Sequence, residues 1–278
     1  MKLLTAIVAV TLIATPAFSA DMAVKAPPPA PVYSWTGFYV GGNAGYAWQD
    51  PPVTFTPNDT VSYGVTCSLA GFTGGGCPPA TAFNTGGALA GVQAGYNLQV
   101  NPTILIGVEA DFDWSQIRGT GYSNFGLDFS PATFHASENV TYFGTVRGRL
   151  GYLPLDRVLL FVTGGLAYGH VEENVGLDGG SGGVGYGGYG YNCSGGPNCF
   201  IGSSSHNGLG WTAGAGFEYA LWRNLKFKAE YLFVNLGGGQ AVNVAARSAM
   251  SFPNASSFTA AYGAVTFQVL RAGLNIGF

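Results

Sequence analysis

The sequence predicts an all-β protein, an eight-stranded antiparallel up-and-down β-barrel that crosses a membrane, and three observations predict it. Eight stretches of about ten residues alternate apolar side chains with small or polar ones, with the period of two that is typical of β-strands. The connections between these stretches alternate between long and short along the chain. Charged residues make up only 9% of the 278 residues, yet past the N-terminus no run of ~18 apolar residues could form a membrane helix.

The stretch 139–169 shows this pattern most fully, because it contains two strands and the turn between them. Tyr142 and Tyr152 begin and end an apolar face, and Arg147 and Arg149 lie on the opposite face. A short turn with Pro and Asp follows, and the second strand repeats the alternation up to Tyr168. Aromatic side chains at both ends of an apolar face are typical of membrane-spanning barrel strands.

The other predicted strands are separated by turns or by loops of many residues. They cover 35–48, 88–98, 103–115, 209–219, 225–233 and 264–278. The long connections are 49–86, 116–137, 172–207 and 236–261. Barrels of the bacterial outer membrane have short periplasmic turns and long outside loops. We therefore expect residues 34–278 to form an outer-membrane barrel with four long extracellular loops.

The N-terminal residues indicate export. Lys2 precedes an apolar run that is too short to span a bilayer, so residues 1–20 are predicted to be a signal peptide, cleaved after Ser19 or Ala20. Residues 21–33 are rich in proline and form a predicted periplasmic linker. A peptidoglycan contact of this linker is an open alternative to a plain spacer. The net charge of −3 shows no excess of basic residues of the kind that nucleic-acid binding requires.

Six stretches of this sequence resemble the alphaproteobacterial outer-membrane immunogenic proteins, which are porin-like surface antigens similar in fold to the opacity proteins and to the barrel of outer membrane protein A. The stretches are WTGFYVGGNAGYAW (35–48), TVRGRLGY (145–152), VTGGLAYG (162–169), GWTAGAGFEYAL (210–221), KAEYLFVNLG (228–237) and RAGLNIGF (271–278). The resemblance implies an eight-stranded outer-membrane barrel. It does not imply one agreed biochemical activity.

The inward faces of the predicted strands carry equal numbers of acidic and basic side chains. A solvated channel could hold them, but buried charges must be paired, so we predict a salt-bridged lumen. The residues of this predicted network are Glu109, Asp111, Asp113, Arg147, Arg149, Glu218, Lys226, Lys228, Glu230 and Arg271.

Four cysteines lie in two of the predicted loops. Three pairings are open in an exported chain, and we favour the two local bridges because short separations close most easily. The spacings differ from known zinc sites, and we expect neither a metal nor a cofactor. The predicted bridges are Cys67–Cys77 and Cys193–Cys199.

Two further patterns suggest chemistry, and for both the plainer interpretation is favoured. GYGGYG (185–190) fits a dinucleotide-binding pattern but lacks the preceding strand and following helix. His135, His170 and His206 lie at predicted loop edges, and the serines at 203–205 precede His206. A lipid-modifying enzyme would need a fixed Ser–His pair there, and no acid is positioned to orient His206. We therefore expect no enzymatic activity.

The last strand ends in an aromatic residue after two alternating apolar positions. Leu274, Ile276 and Phe278 resemble the signal that the barrel-assembly machinery reads. The predicted function is that of a structural, surface-exposed outer-membrane protein that contacts its surroundings through its loops. The expected partners are outer-membrane lipid, the assembly machinery, and peptidoglycan or a host surface. A small-solute porin and a lipid-modifying enzyme are the alternatives.

Overall fold

In the computed structural model the described residues are 33–59, 81–125, 132–179, 184–186, 189–191, 200–246 and 257–278. No helix in these ranges is long and apolar enough to cross a membrane. The strands are β1 (Gly37–Gln49), β2 (Pro52–Pro57), β3 (Thr81–Ala82), β4 (Thr85–Gln99), β5 (Ile104–Phe125), β6 (Ala132–Leu155), β7 (Val158–Gly179), β8 (Val184–Tyr186), β9 (Tyr189–Tyr191), β10 (Phe200–Ala220), β11 (Leu225–Gly238), β12 (Ala241–Ala246), β13 (Ser257–Tyr262) and β14 (Ala264–Gly277).

Eight of these strands close into an antiparallel ring, which confirms the predicted fold class. The order around the ring is β1-β4-β5-β6-β7-β10-β11-β14. Strands β1 and β14 close it, in register from Tyr39 opposite Gly277 to Trp48 opposite Gln268. Every neighbour in the ring therefore follows in chain order, and no sheet edge faces the lipid.

The alternation of side chains divides the barrel wall into an apolar outer face and a buried inner face. Phe38, Val108 and Leu209 point outward and are 67%, 61% and 71% exposed, whereas Tyr39 points inward and is 1% exposed. Trp114, Tyr152, Tyr168 and Trp211 lie near the ends of the outer apolar band. This band is the surface that the bilayer covers.

The short turns lie at one end of the ring, together with the C-terminus. In the β4–β5 turn the Asn101 side chain accepts hydrogen bonds from the backbone N–H groups of Thr103 (2.9 Å) and Ile104 (2.8 Å), a local geometry that asparagine favours. At the same end the N–H of Phe278 donates to the carbonyl of Phe38 (2.9 Å). Short turns are periplasmic in such barrels, so we expect the opposite end to be extracellular and name the two ends accordingly.

The wall continues beyond the apolar band into a second tier of strands that the sequence did not predict. Strands β5, β6, β7 and β10 are 21 to 24 residues long. Beside them β12, β13, β2 and β3 pair in that order, and they lie within two of the connections predicted as long loops. This tier begins at irregularities in register such as the one between Val140 and Tyr142. Past the bilayer the outer face meets water, so the lipid-facing apolar signal ends although the strands continue.

The interior is filled in layers. An apolar floor that includes Trp35 and Phe161 lies at the periplasmic end. The charged side chains lie above it, followed by an apolar layer that includes Phe143 and Phe267. A third apolar cluster, which includes Phe134, fills the second tier. The lumen therefore contains packed side chains along its height.

Candidate functional site

The lumen charges lie on five strands of the ring, at the alternate positions of each strand that point into the barrel. All of them are at most 5% exposed. Five are acidic and five are basic, so their formal charges sum to zero. The set contains every charged residue that the sequence predicted for the lumen: Glu109, Asp111, Asp113, Arg147, Arg149, Glu218, Lys226, Lys228, Glu230 and Arg271.

Arg147 of β6 lies at the centre of this network. Its guanidinium donates to Glu109 at 2.5 Å and to Asp111 at 2.7 Å, and across the barrel to Glu230 at 2.9 Å. Lys228 connects two of the same carboxylates from another strand, at 2.6 Å from Glu109 and 2.7 Å from Glu230. These contacts give each terminal nitrogen of the Arg147 guanidinium a carboxylate partner, whereas its Nε has no hydrogen-bond partner among the described residues.

Arg271 of β14 joins the network from the other side. Its Nε donates to Glu230 at 2.9 Å, one of its terminal nitrogens donates to Asp111 at 2.7 Å, and the other donates to Asp113. Glu230 and Arg271 are also direct register partners on β11 and β14. The network therefore closes a circuit across the lumen through side chains from four different strands.

Arg149 forms the periplasmic part of the network. Its guanidinium donates to Glu218 at 2.5 Å and to the Tyr39 hydroxyl at 2.6 Å, and lies 3.3 Å from Glu109. The guanidinium also lies over the Phe161 ring, 4.1 Å from its centroid. Such a cation–π contact adds to the ion pairs in a water-poor site.

Lys226 has a different environment from the other bases. Its ammonium lies 5.1 Å from the centroid of the Trp35 ring and 5.7 Å from that of Tyr39, at the apolar floor. The floor is fixed because the Trp35 indole donates to the carbonyl of Asp156 in the β6–β7 turn, at 3.0 Å. Lys226 therefore lies between the charge network and the periplasmic end.

Several neutral lumen residues complete the site, and the sequence pattern does not distinguish them from other inward-facing residues. Tyr39 donates to Glu109 at 2.6 Å. Asn43, Gln93 and Asn275 form a chain of amide contacts, at 3.3 Å between the first two and 2.7 Å between the last two. They occupy the alternate positions of β1, β4 and β14 that point into the barrel, and this alternation is the sequence signal that could have identified them. Which of them touch depends on how the strands stagger around the ring.

A comparison with protein families agrees with this architecture. A family model described as the outer membrane protein beta-barrel domain matches residues 5–269. The chain belongs to this family. The 31 kDa outer-membrane immunogenic protein of Brucella melitensis is 34% identical over 279 residues, covering 96% of this chain and 95% of the relative. The 25 kDa outer-membrane immunogenic protein of Brucella abortus is 28% identical over 231 residues, covering 80% and 78%. The solved structure of the outer membrane protein OprG from Pseudomonas aeruginosa matches 87% of this chain and 97% of its own, with 11% identity and a TM-score of 0.43.

The family and the lipid-facing band together confirm an outer-membrane location. On this barrel Leu274 and Ile276 point outward from β14 and Phe278 is 82% exposed. The predicted assembly signal is thus at the membrane-facing surface of the last strand, and its role is a prediction. The four cysteines, the signal peptide and all but the last residue of the linker lie outside the described residues.

The histidines occupy different places from those expected. His170 of β7 points outward at the extracellular rim, where its Nε2 lies 3.0 Å from Ser205 Oγ and its Nδ1 lies 2.9 Å from Asn207 Oδ1. The His170 ring stacks on Tyr142, with centroids 5.7 Å apart. His206, which follows the serines in sequence, has no hydrogen-bond partner for its ring nitrogens within the described part of the chain. Ser205 therefore pairs with His170 on the neighbouring strand.

Proposed function

We propose that this chain is a structural, surface-exposed outer-membrane barrel whose lumen is closed to solutes and whose contacts are made by its extracellular part. The lumen charge network is the observation that carries this proposal. Its ten charged side chains are buried and sum to a formal charge of zero. Within the described part of the chain, all of them except Lys226 form ion pairs, which include contacts of 2.5–3.3 Å across the barrel. Ion pairs at these distances leave no space between them for hydrated solutes.

A small-solute porin would need a continuous aqueous path through the barrel. An eight-stranded barrel has an interior just wide enough for side chains to fill. Here apolar layers lie both below and above the charges, which adds dry segments to the path. The proposal therefore assigns the lumen neither transport nor catalysis, and it assigns recognition to the extracellular tier and its loops.

Liposome swelling tests the closed lumen directly. Liposomes that contain the refolded barrel are diluted into isotonic solutions of small sugars, with protein-free liposomes and porin-containing liposomes as controls. We expect swelling at the rate of the protein-free liposomes. Swelling that increases with the amount of barrel and slows with the size of the sugar would contradict the proposal.

A second candidate function is hydrolysis of acyl esters at the extracellular rim, and the contacts of His170 favour it. The order Ser205–His170–Asn207 is that of a nucleophile, a base and an orienting group. Ser205 Oγ would attack the ester carbonyl carbon and pass its proton to His170, which returns it to the departing alcohol. Water then attacks the acyl-serine, which releases the carboxylic acid and restores the hydroxyl. The position at the edge of the lipid-facing band favours a lipid of the outer leaflet.

Labelling with a fluorophosphonate probe tests this candidate. Ser205→Ala and His170→Ala should both abolish labelling of the folded barrel. Ser203→Ala is the matched control, because Ser203 is exposed on the same face of β10 two residues away. Lipid A mass spectra with and without the protein give a second readout. An unlabelled wild-type barrel with unchanged lipid spectra would exclude the candidate.

A further inference from the structure

Two acidic side chains face each other inside the second tier. Glu138 of β6 and Glu173 of β7 are direct register partners, and they are 1% and 0% exposed. They lie past Tyr142 and His170 on the extracellular side, above the lipid-facing band. Like charges directly opposite one another on adjacent strands repel, so this pair requires compensation.

No basic side chain in the described ranges forms an ion pair with either carboxylate. Glu138 Oε1 accepts a hydrogen bond from the Gln49 side-chain amide. The carboxylate of Glu173 accepts one from the backbone N–H of Gln240, at 3.2 Å and 3.3 Å to its two oxygens. Both partners are neutral. The negative charge of the pair is therefore not balanced by protein groups in this part of the chain.

The surroundings add further oxygen atoms that lack partners. Glu138 Oε2, Gln49 Oε1 and Thr85 Oγ1 have no hydrogen-bond partner within the described residues. Gln49 and Thr85 are register partners on β1 and β4, and both are at most 5% exposed. Buried oxygen atoms in folded proteins nearly always contact a donor, a water molecule or an ion. Two uncompensated carboxylates, one of them with an unpartnered oxygen, thus lie beside two further unpartnered oxygens, and this arrangement favours a cation.

Tyr262 and His206 are the other titratable groups that face this region. The Tyr262 hydroxyl lies 2.9 Å from the carbonyl of Asn174 and 3.2 Å from that of Ser137, which are the neighbours of Glu173 and Glu138 in sequence. His206 points inward from β10 in register with Val171, one inward position below the strand partner of Glu173. Burial raises the pKa values of Glu138 and Glu173 to about 7, which agrees with an environment that does not itself neutralise them.

We propose that this chamber binds one divalent cation, Ca²⁺, through the carboxylates of Glu138 and Glu173 and the amide oxygen of Gln49. The ligand set consists of oxygen atoms, which hard cations prefer, whereas zinc and copper sites favour nitrogen and sulfur. Ca²⁺ accepts irregular arrangements of carboxylate and amide oxygens more readily than Mg²⁺ does. A bound ion would connect β1, β6 and β7 at the base of the extracellular tier.

The test measures Ca²⁺ binding and thermal unfolding of the refolded full chain, after treatment with EDTA and again after addition of Ca²⁺. We expect one Ca²⁺ per chain and a higher Tm with Ca²⁺. Glu138→Gln and Glu173→Gln should each weaken Ca²⁺ binding by at least ~100-fold, more than loss of an outer-shell partner typically does. Glu172→Gln is the matched control, because it removes a carboxylate from the same strand at a half-buried, outward-facing position and should leave binding unchanged.

Two results would overturn this proposal. The first is a wild-type chain that binds no Ca²⁺ and has the same Tm in EDTA and in Ca²⁺, which would mean that a shared proton or water compensates the pair. The second is equal loss of binding in Glu172→Gln, which would place the ion on the outer surface. If a Glu138 variant fails to fold, Gln49→Ala provides the second test, since it removes one neutral ligand and should weaken binding without abolishing it.

Discussion

Replacing Arg147 by alanine removes the guanidinium that contacts three carboxylates at the centre of the lumen. Those contacts are 2.5 Å to Glu109, 2.7 Å to Asp111 and 2.9 Å to Glu230. The variant lumen contains five acids and four bases, so its formal charge becomes −1. Because all the groups are buried, the excess charge has no access to bulk water, and we expect the free energy of unfolding to fall.

The remaining ion pairs limit the size of this effect. Glu109 keeps Lys228 at 2.6 Å, and both Asp111 and Glu230 keep Arg271, at 2.7 Å and 2.9 Å. No carboxylate loses its last counter-charge. We therefore expect a loss of about 3–5 kcal/mol, the range for breaking one buried ion pair, rather than three such losses added together.

Urea unfolding in lipid vesicles, followed by tryptophan fluorescence, measures this loss. Arg157→Ala is the control, because Arg157 is exposed at the β6–β7 turn, and it should change the free energy of unfolding by less than about 0.5 kcal/mol. The double variant Arg147→Ala/Glu109→Gln restores a formal charge of zero. It should be more stable than the sum of the single changes predicts, with a coupling of about 0.5–3 kcal/mol. If Arg147→Ala matched Arg157→Ala, water rather than protein charges would be solvating the lumen.

Three further predictions concern the C-terminus, the loops and the second tier. Deleting Phe278 should reduce the heat-modifiable, assembled form much more than Phe233→Ala does, whereas equal losses would mean that Phe278 is only another girdle aromatic. Non-reducing peptide mapping should find disulfides only within each predicted pair of loop cysteines, and a link between the two loops would refute this. The third prediction concerns the pH dependence of stability with a chelator present. Burial raises the pKa values of Glu138 and Glu173 from 4.5 to about 7, so these two carboxyl groups stay protonated to a higher pH in the folded state than in the unfolded state. The contribution of this pair to stability should therefore be complete below about pH 4.5 and be lost as the pH rises to about 7, so stability should fall between these two values. A profile that rises over this range would contradict the burial of the pair.

The membrane-spanning ring could be predicted because the bilayer imposes a strong contrast on every strand. Lipid requires apolar side chains on the outer face, so the charged side chains of each membrane-spanning strand must point inward. The alternation of side chains along each strand is therefore enough to predict that Glu109 and Arg147 lie in the lumen. Their contact also follows from strand order, since they are direct register partners. The contact between Arg147 and Glu230 across the barrel cannot be predicted from strand order, because it depends on strand tilt and stagger.

The second tier could not be predicted in the same way. Outside the bilayer the outer face of a strand is polar, so the sequence pattern predicts a loop where β12 and β13 lie. The sites that lie at or beyond the band depend on register between strands far apart in sequence. His170 and Ser205 meet only because β7 and β10 pair at that position, and neither residue is close to the other in the chain.

Single-channel recording of the purified, unmodified barrel in a planar bilayer tests the closed lumen most directly. The charge network predicts little or no steady conductance, and it predicts that Arg147→Ala destabilises the barrel and opens only brief, small currents. A stable, ion-selective conductance in the unmodified protein that Arg147→Ala leaves unchanged would contradict the closed lumen and favour the porin.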